Sequence, residues 1–249
     1  MKSIAQENNK PNIIIILTDD QGYGDVGFNG NKQLLTPNID RIANNGVVFK
    51  NGYVTYSVCG PSRAGLITGR YQDQFGFNRN PLFAPKDANI GLPLSEETLA
   101  EALKKAGYTN MAIGKWHLGA HESFRPLNRG FDEFFGFLSG GHKYFPEQLV
   151  LNDISEVKAQ FDAYDTKILQ NNTRIEEKEY LTDAFSREAV KFVEKSANKP
   201  FFLYLAYNAP HAPLQAPEKY LQRYKHIQKK DRQIYNAMVS AVDDGVGKL

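Results

Sequence analysis

This chain has almost no cysteine: Cys59 is the only one in 249 residues. A lone thiol closes no internal disulfide, so its worth lies in reactivity or in burial. Long apolar runs are missing as well. Stretches such as Ile13–Leu17 are far shorter than the roughly 20 residues of a membrane-spanning helix, which excludes a membrane span. Charge of one sign is not in excess either. The formal net charge of +2 argues against a nucleic-acid binder working through a broad basic surface. Residues 1–10 are polar, lack the apolar core of a complete signal peptide, and read as a disordered segment. A cytoplasmic protein and a mature exported one both fit that start. No internal repeat or low-complexity linker divides the rest, so residues 11–249 read as one unit.

What is present suits a large core. Hydrophobic residues make up 41% and charged residues 23%, with 16 Phe and 13 Tyr to supply big buried areas. Residues 12–17 read as a central parallel strand buried on both faces. A helix over 37–45 follows, with Thr36 as its cap and Pro37 in its first turn. Residues 47–56 read as extended. Ser95 opens the clearest helix, with Glu96, Glu97 and Glu101 toward its positive end and Gly107 as its stop. Strands are expected at 109–113 and 200–207, helices at 182–196 and from about 231 to 242, and loops with short elements between 131 and 164. Strand and helix in alternation predict an α/β fold with a mostly parallel central sheet flanked by helices. Ligands of such sheets bind beyond the carboxyl ends of the strands. Asp19 and Asp20 follow one strand, Lys115 and His117 a second, and His211 a third.

Each cluster has a plain reading and a chemical one. Adjacent carboxylates repel unless a cation sits between them, and oxygen donors suit Ca²⁺ or Mg²⁺, yet most Asp-Asp pairs are solvated turns. Gly60 and Pro61 force a turn at Cys59, which places its side chain near a helix N-terminus, and Arg63 adds a permanent cation able to grip an oxyanion. Lys115 and His117, two apart at a strand end, reach one side if strand geometry persists. Trp116 between them is expected to pack inward. His211 lies in Pro-His-Ala-Pro, a loop stiffened by proline. His121, His142 and His226 fit no catalytic segment, although the loop of His142 can reach a substrate. Arg125 and Arg129 are expected on a solvated surface or a sugar-facing rim, and Asp243-Asp244 on a helix surface.

Cys59-Gly60-Pro61-Ser62-Arg63 followed by Leu66-Ile67-Thr68-Gly69-Arg70 resembles the signature of the type I, formylglycine-dependent sulfatases of the alkaline phosphatase superfamily. Thr18-Asp19-Asp20-Gln21-Gly22-Tyr23-Gly24 is similar to the family's first metal loop. Gly114-Lys115-Trp116-His117-Leu118-Gly119 and the His211 segment are similar to two further signatures. The resemblance implies an alkaline phosphatase-like fold and a sulfuric ester hydrolase acting on an organic sulfate, above all a sulfated carbohydrate. It implies that a maturing enzyme oxidises Cys59 to formylglycine, whose hydrate attacks sulfur through one hydroxyl and expels sulfate through the other. It further implies one divalent cation, usually Ca²⁺, on Asp19, Asp20 and residue 59. Arg63 is then expected to hold the hydrate, Lys115 a sulfate oxygen, and His117 and His211 to serve as base and acid in either assignment. The family's remaining metal ligands, a further lysine and a smaller C-terminal subdomain come from later segments. The chain is therefore expected to be the N-terminal portion of a catalytic domain, and family habit implies a periplasmic or secreted setting. A phosphate or phosphonate ester hydrolase of the same superfamily, and a non-catalytic binder of sulfated glycans, are the competing readings.

Overall fold

Five consecutive aliphatic residues, four of them β-branched isoleucine, favour extended backbone, and they form strand β1, Ile13–Leu17. The computed structural model describes residues 10–152 and 156–249, so the reading of residues 1–10 as disordered falls, but for Lys10, outside the described residues. Strands β2 (Thr109–Lys115), β3 (Glu133–Phe137), β4 (Ile168–Gln170), β5 (Thr173–Ile175) and β6 (Phe201–Ala206) complete a six-stranded sheet in the order β1-β6-β2-β3-β4-β5. The first four strands of that order are parallel, and β4 and β5 are antiparallel additions. The fold is α/β with a mostly parallel sheet, as the alternation predicted.

β6 lies inside the sheet, and all six of its residues are buried. Its alternating side chains feed two cores. Phe201, Leu203 and Leu205 pack with Phe185 and Phe192 of α4 (Leu181–Ser196) and with Met238 and Val242 of α6 (Lys230–Lys248), which follows the one-turn α5 (Glu218–Leu221). Phe202, Tyr204 and Ala206 pack on the other face with Ala64 and Ile67 of α2 (Cys59–Thr68) and Ala100 of α3 (Leu99–Lys105). Each fully buried large apolar side chain contributes about 1.5–3 kcal/mol. These two layers hold β1, β6 and β2 side by side, with their carboxyl ends at one rim.

Several expectations give way to nonlocal packing. β1 ends the sheet instead of occupying its centre, and Ile14 is 40% exposed. Beside it runs an apolar groove lined by Ile14, Ile16, Val26, Ile39, Val48 and Phe49. Residues 47–58 contain no strand; they form turns and bends with Val47, Phe49 and Tyr53 exposed. α1 spans Pro37–Asn45 as expected, but Thr36 makes no side-chain cap. Asp243 from α6 accepts the N–H groups of Asn38 and Ile39 instead, so this acid is buried and not on a helix surface, while Asp244 pairs with Arg223. The helix expected from Ser95 starts at Leu99. Thr98 caps it, accepting from the Glu101 N–H while the Glu101 carboxylate accepts from the Thr98 N–H. The aromatic region after Phe131 holds a full strand, β3, where loops and short elements were expected.

Candidate active site

The Asp19-Asp20 pair follows β1 after Thr18, and Asp20 adopts a left-handed backbone, φ 61°. Asp19 is buried. Its Oδ2 accepts from Arg63 Nη2 at 3.0 Å and from Lys115 Nζ, and its Oδ1 lies 3.5 Å from Cys59 Sγ. Burial alone raises this carboxyl, but Arg63 and Lys115 outweigh it and pull the pKa down to about 2. Asp20 is exposed and faces His211, whose Nε2 stands 3.8 Å from Asp20 Oδ2.

Cys59 is the first residue of α2 itself, one step tighter than a helix beginning after the turn. The next N–H, of Gly60, donates to Asn80 Oδ1 at 2.8 Å, which ties the helix start to a neighbouring loop. The helix N-terminus does not make Cys59 a thiolate. Burial pushes the thiol pKa up, and Asp19 adds to that against the opposing pull of Lys115 and Arg63. An unmodified Cys59 is therefore a protonated, weakly nucleophilic thiol at neutral pH.

Arg63, one turn on, is buried and also donates from Nη1 to the Lys115 carbonyl at 2.8 Å. Burial disfavours the guanidinium charge, but the Asp19 carboxylate bonded to it holds Arg63 charged, and Tyr204 on β6 lies close by. Lys115 closes β2. Gly114 before it has φ 98°, and a Cβ there would stand 2.0 Å from the Ala206 carbonyl oxygen, so only glycine lets β2 lie this close to β6. Strand geometry stops at Lys115; His117 reaches the site through a left-handed turn, φ 55°. Trp116 packs inward as expected and donates from Nε1 to the Phe124 carbonyl at 2.8 Å. Burial, then the Lys115 and Arg63 charges, hold the His117 pKa well below its ordinary value, so the ring is neutral. Its Nδ1 has no partner among the described residues. The neutral ring carries a lone pair that can take up a proton, while burial and the two cations make it a weak base.

The structure thus brings Asp19, Asp20, Cys59, Arg63, Lys115, His117 and His211 to one rim. The other candidates stay apart. Arg129 is fully buried and braces loops by donating to the carbonyls of Leu92 and Glu96, so it is neither surface nor rim. Arg125 donates to the Ala120 carbonyl, and His121 accepts from Ser123 N–H. His226 stacks loosely near Tyr224. His142 is buried against Phe137, with burial lowering its pKa to about 4, so it does not extend to a substrate. Sequence reasoning missed one device altogether. Tyr235 of α6 donates to Asp25 Oδ2 at 2.8 Å and accepts from Gly22 N–H, while Arg232 grips Asp25 at 2.7 Å, so α6 clamps the loop that carries Asp20. Only the helical spacing of Arg232 and Tyr235 on one face hinted at it.

Among the described residues, Asp19, Asp20 and Cys59 offer ligand atoms that all lie within 4.8 Å of one another. Two carboxylate oxygens fit a hard cation such as Ca²⁺ or Mg²⁺, but a thiol is a poor third partner. An oxygen in place of the sulfur at position 59 would make the set consistent.

With this geometry in hand, comparison with known proteins decides the family. The chain matches the sulfatase family over residues 11–249. It belongs to the sulfatases. N-acetylgalactosamine-6-sulfatase of Mus musculus is 38% identical over 251 residues, spanning 96% of this chain and 46% of the relative. Arylsulfatase J of Mus musculus is 37% identical, over 95% of this chain and 38% of the relative. The solved structure of Ps i-CgsB, 47% identical, superposes with a TM-score of 0.89 over 96% of this chain and 54% of its own; its complex with k-i-k-neocarrahexaose is also solved. The chain spans about half the length of the curated relatives it matches, or less. The sulfatase's sheet is of the alkaline phosphatase-like type seen in these relatives.

Proposed function

We propose that this sulfatase chain carries the nucleophile, first cation ligands and anion-binding residues of an enzyme that hydrolyses sulfate esters of a carbohydrate. One observation carries the reading: Cys59, Arg63 and Lys115 converge on a single buried carboxylate, Asp19. That arrangement concentrates positive charge beside the one residue the family signature marks for oxidation. A formylglycine at position 59 would supply a hydrated aldehyde, and a divalent cation held by Asp19, Asp20 and residue 59 would supply charge neutralisation.

The chain's own residues account for the rest. Arg63, buried and permanently charged, orients the hydroxyls at position 59. Lys115 binds a sulfate oxygen, a contact that neutralises charge building on the ester. His117, whose ring is neutral with its Nδ1 unpartnered among the described residues, takes the proton whose loss lets the enzyme release sulfate. His211, at the open side, donates a proton to the leaving sugar oxygen, where solvent and substrate meet it. A serine at position 59 would lack the second hydroxyl through which a formylglycine hydrate would expel sulfate, so an oxidised residue suits the reaction where serine does not. We also propose a periplasmic or secreted setting, supported by family habit alone and checked by cell fractionation.

The test uses the natural full-length protein made in a host with a formylglycine-generating enzyme. Mass spectrometry of the peptide around position 59 is expected to show the aldehyde, and hydrolysis of an aryl sulfate is expected to exceed that of the matched aryl phosphate. Cys59→Ala is expected to abolish turnover. An unmodified thiol in protein from its native host would overturn the reading, and a Cys59→Ala variant that still binds sulfated glycan with wild-type protein showing no turnover would establish a binder instead.

A further inference from the structure

Two consecutive glycines, Gly140 and Gly141, stand where side chains from different parts of the fold close in. A Cβ on Gly140 would lie 2.8 Å from His117 Nε2, and one on Gly141 would lie 2.5 Å from Cζ and 2.6 Å from the hydroxyl oxygen of Tyr164. Successive Cα atoms are about 3.8 Å apart, so the His117 ring and the Tyr164 phenol tip rest on neighbouring points of one loop. Tyr164 is therefore at the site, although no sequence motif marks it. Its phenol pKa is raised by partial burial and then by Cys59, Asp19 and Asp20, which agrees with a hydroxyl turned toward those groups. That hydroxyl has no hydrogen-bond partner among the described residues.

The turn that carries it is fastened on three sides. Asp162 accepts the N–H groups of Lys158 and Ala159 at 3.0 and 2.9 Å and closes the turn's own start. The Tyr164 carbonyl accepts from Lys143 N–H, and the Ala163 carbonyl accepts from Thr166 Oγ1. Gln160 Oε1 accepts from Phe83 N–H at 3.1 Å, joining the turn to the loop that lines a polar cleft with Lys86, Asp87 and Asn89. Phe161 packs its ring edge-on to Tyr164, 5.6 Å between centroids at 85°, and is itself 73% exposed. A single exposed phenylalanine needs no explanation, but this one extends an aromatic surface that begins at the catalytic rim.

We propose that Tyr164, backed by Phe161, is a specificity-determining residue whose ring receives the C–H face of the sugar that bears the sulfate and whose hydroxyl bonds a sugar oxygen. This rests on the sulfate-ester reading given above and names the side of the site from which the sugar is held. A sugar ring has polar edges and C–H faces, and an aromatic face with a negative quadrupole accepts the latter, while the polar edge needs a free hydroxyl partner. Tyr164 offers both, and its fastened turn lowers the ordering cost of using them.

The test compares wild type, Tyr164→Ala, Tyr164→Phe and Phe161→Ala in the full-length, aldehyde-bearing protein. The substrate is the fragment turned over fastest by wild type among carrageenan, chondroitin and heparan oligosaccharides, and inorganic sulfate serves as a competitive inhibitor. For Tyr164→Ala, KM for the oligosaccharide is expected to rise about tenfold or more while the inhibition constant of sulfate stays within about twofold. Tyr164→Phe is expected to show a smaller rise and Phe161→Ala the smallest. Equal weakening of sulfate and oligosaccharide, or no change in KM for Tyr164→Ala, would overturn the assignment. A wild-type protein that turns over no sulfate ester would instead defeat the functional reading on which it rests, and turnover of aryl sulfates alone would remove the sugar.

Discussion

Asp19 and Asp20 are neighbours in the chain, yet one side chain is 6% exposed and the other 65%. The difference runs through the whole site. On one side Asp19, Arg63 and Lys115 are buried and bonded to each other or to a strand carbonyl, with His117 buried beside them. On the other, Asp20 and His211 meet solvent and touch at 3.8 Å. The buried half is set by packing before any ligand arrives, as electrostatic preorganisation requires. The open half is where ligands can enter and leave.

The largest expected effect breaks the buried half. Asp19→Ala leaves Arg63 and Lys115 as uncompensated buried cations, and a loss of about 3–5 kcal/mol of stability is expected in urea titrations. If that variant unfolds like wild type, the contrast between the halves is wrong. Next comes a pH effect behind the site. His142 has a folded pKa of about 4 against an ordinary 6.5, so the unfolded chain takes up the proton first. Its contribution is fully present above pH 6.5 and is lost as pH falls through about 4, amounting to about 3 kcal/mol. His142→Gln is expected to flatten the stability profile between those values, and an unchanged slope would remove this imidazole from the account. The clamp on the open half should matter less. Tyr235→Phe removes the hydroxyl that bonds Asp25 and Gly22, with an expected cost of about 1 kcal/mol and weaker Ca²⁺ binding by calorimetry on full-length protein. Smallest is Asp20→Ala, expected within about 0.5 kcal/mol of wild type in stability while Ca²⁺ affinity falls, because its side chain is largely solvated.

Legibility followed the same divide between local and nonlocal causes. The parallel sheet, β6 and the loops of Asp19, Cys59, Lys115 and His211 were readable because each polar cluster directly follows an apolar run or opens a helix. The start of α3 was also written locally: Thr98 has Glu101 three residues on and Ser95 does not, so the capping box identified the true cap. β4 and β5 span three residues each, too few to show a period. That β1 lies at the edge, that Arg129 is a buried brace, and that Asp243 caps α1 all depend on partners far along the chain. Tyr164, Tyr204 and Tyr235 carry no motif, and only their positions against Gly141, Arg63 and Asp25 distinguish them from ten other tyrosines.

The position of β1 at the rim of the sheet has a practical consequence. Its outer backbone groups, flanked by isoleucine and by the bare aliphatic and aromatic residues of the 47–53 segment, form a template onto which another extended chain can add. Ile14→Lys, which sets a charge on that edge, is expected to discourage such stacking, read as lower light scattering at matched concentration.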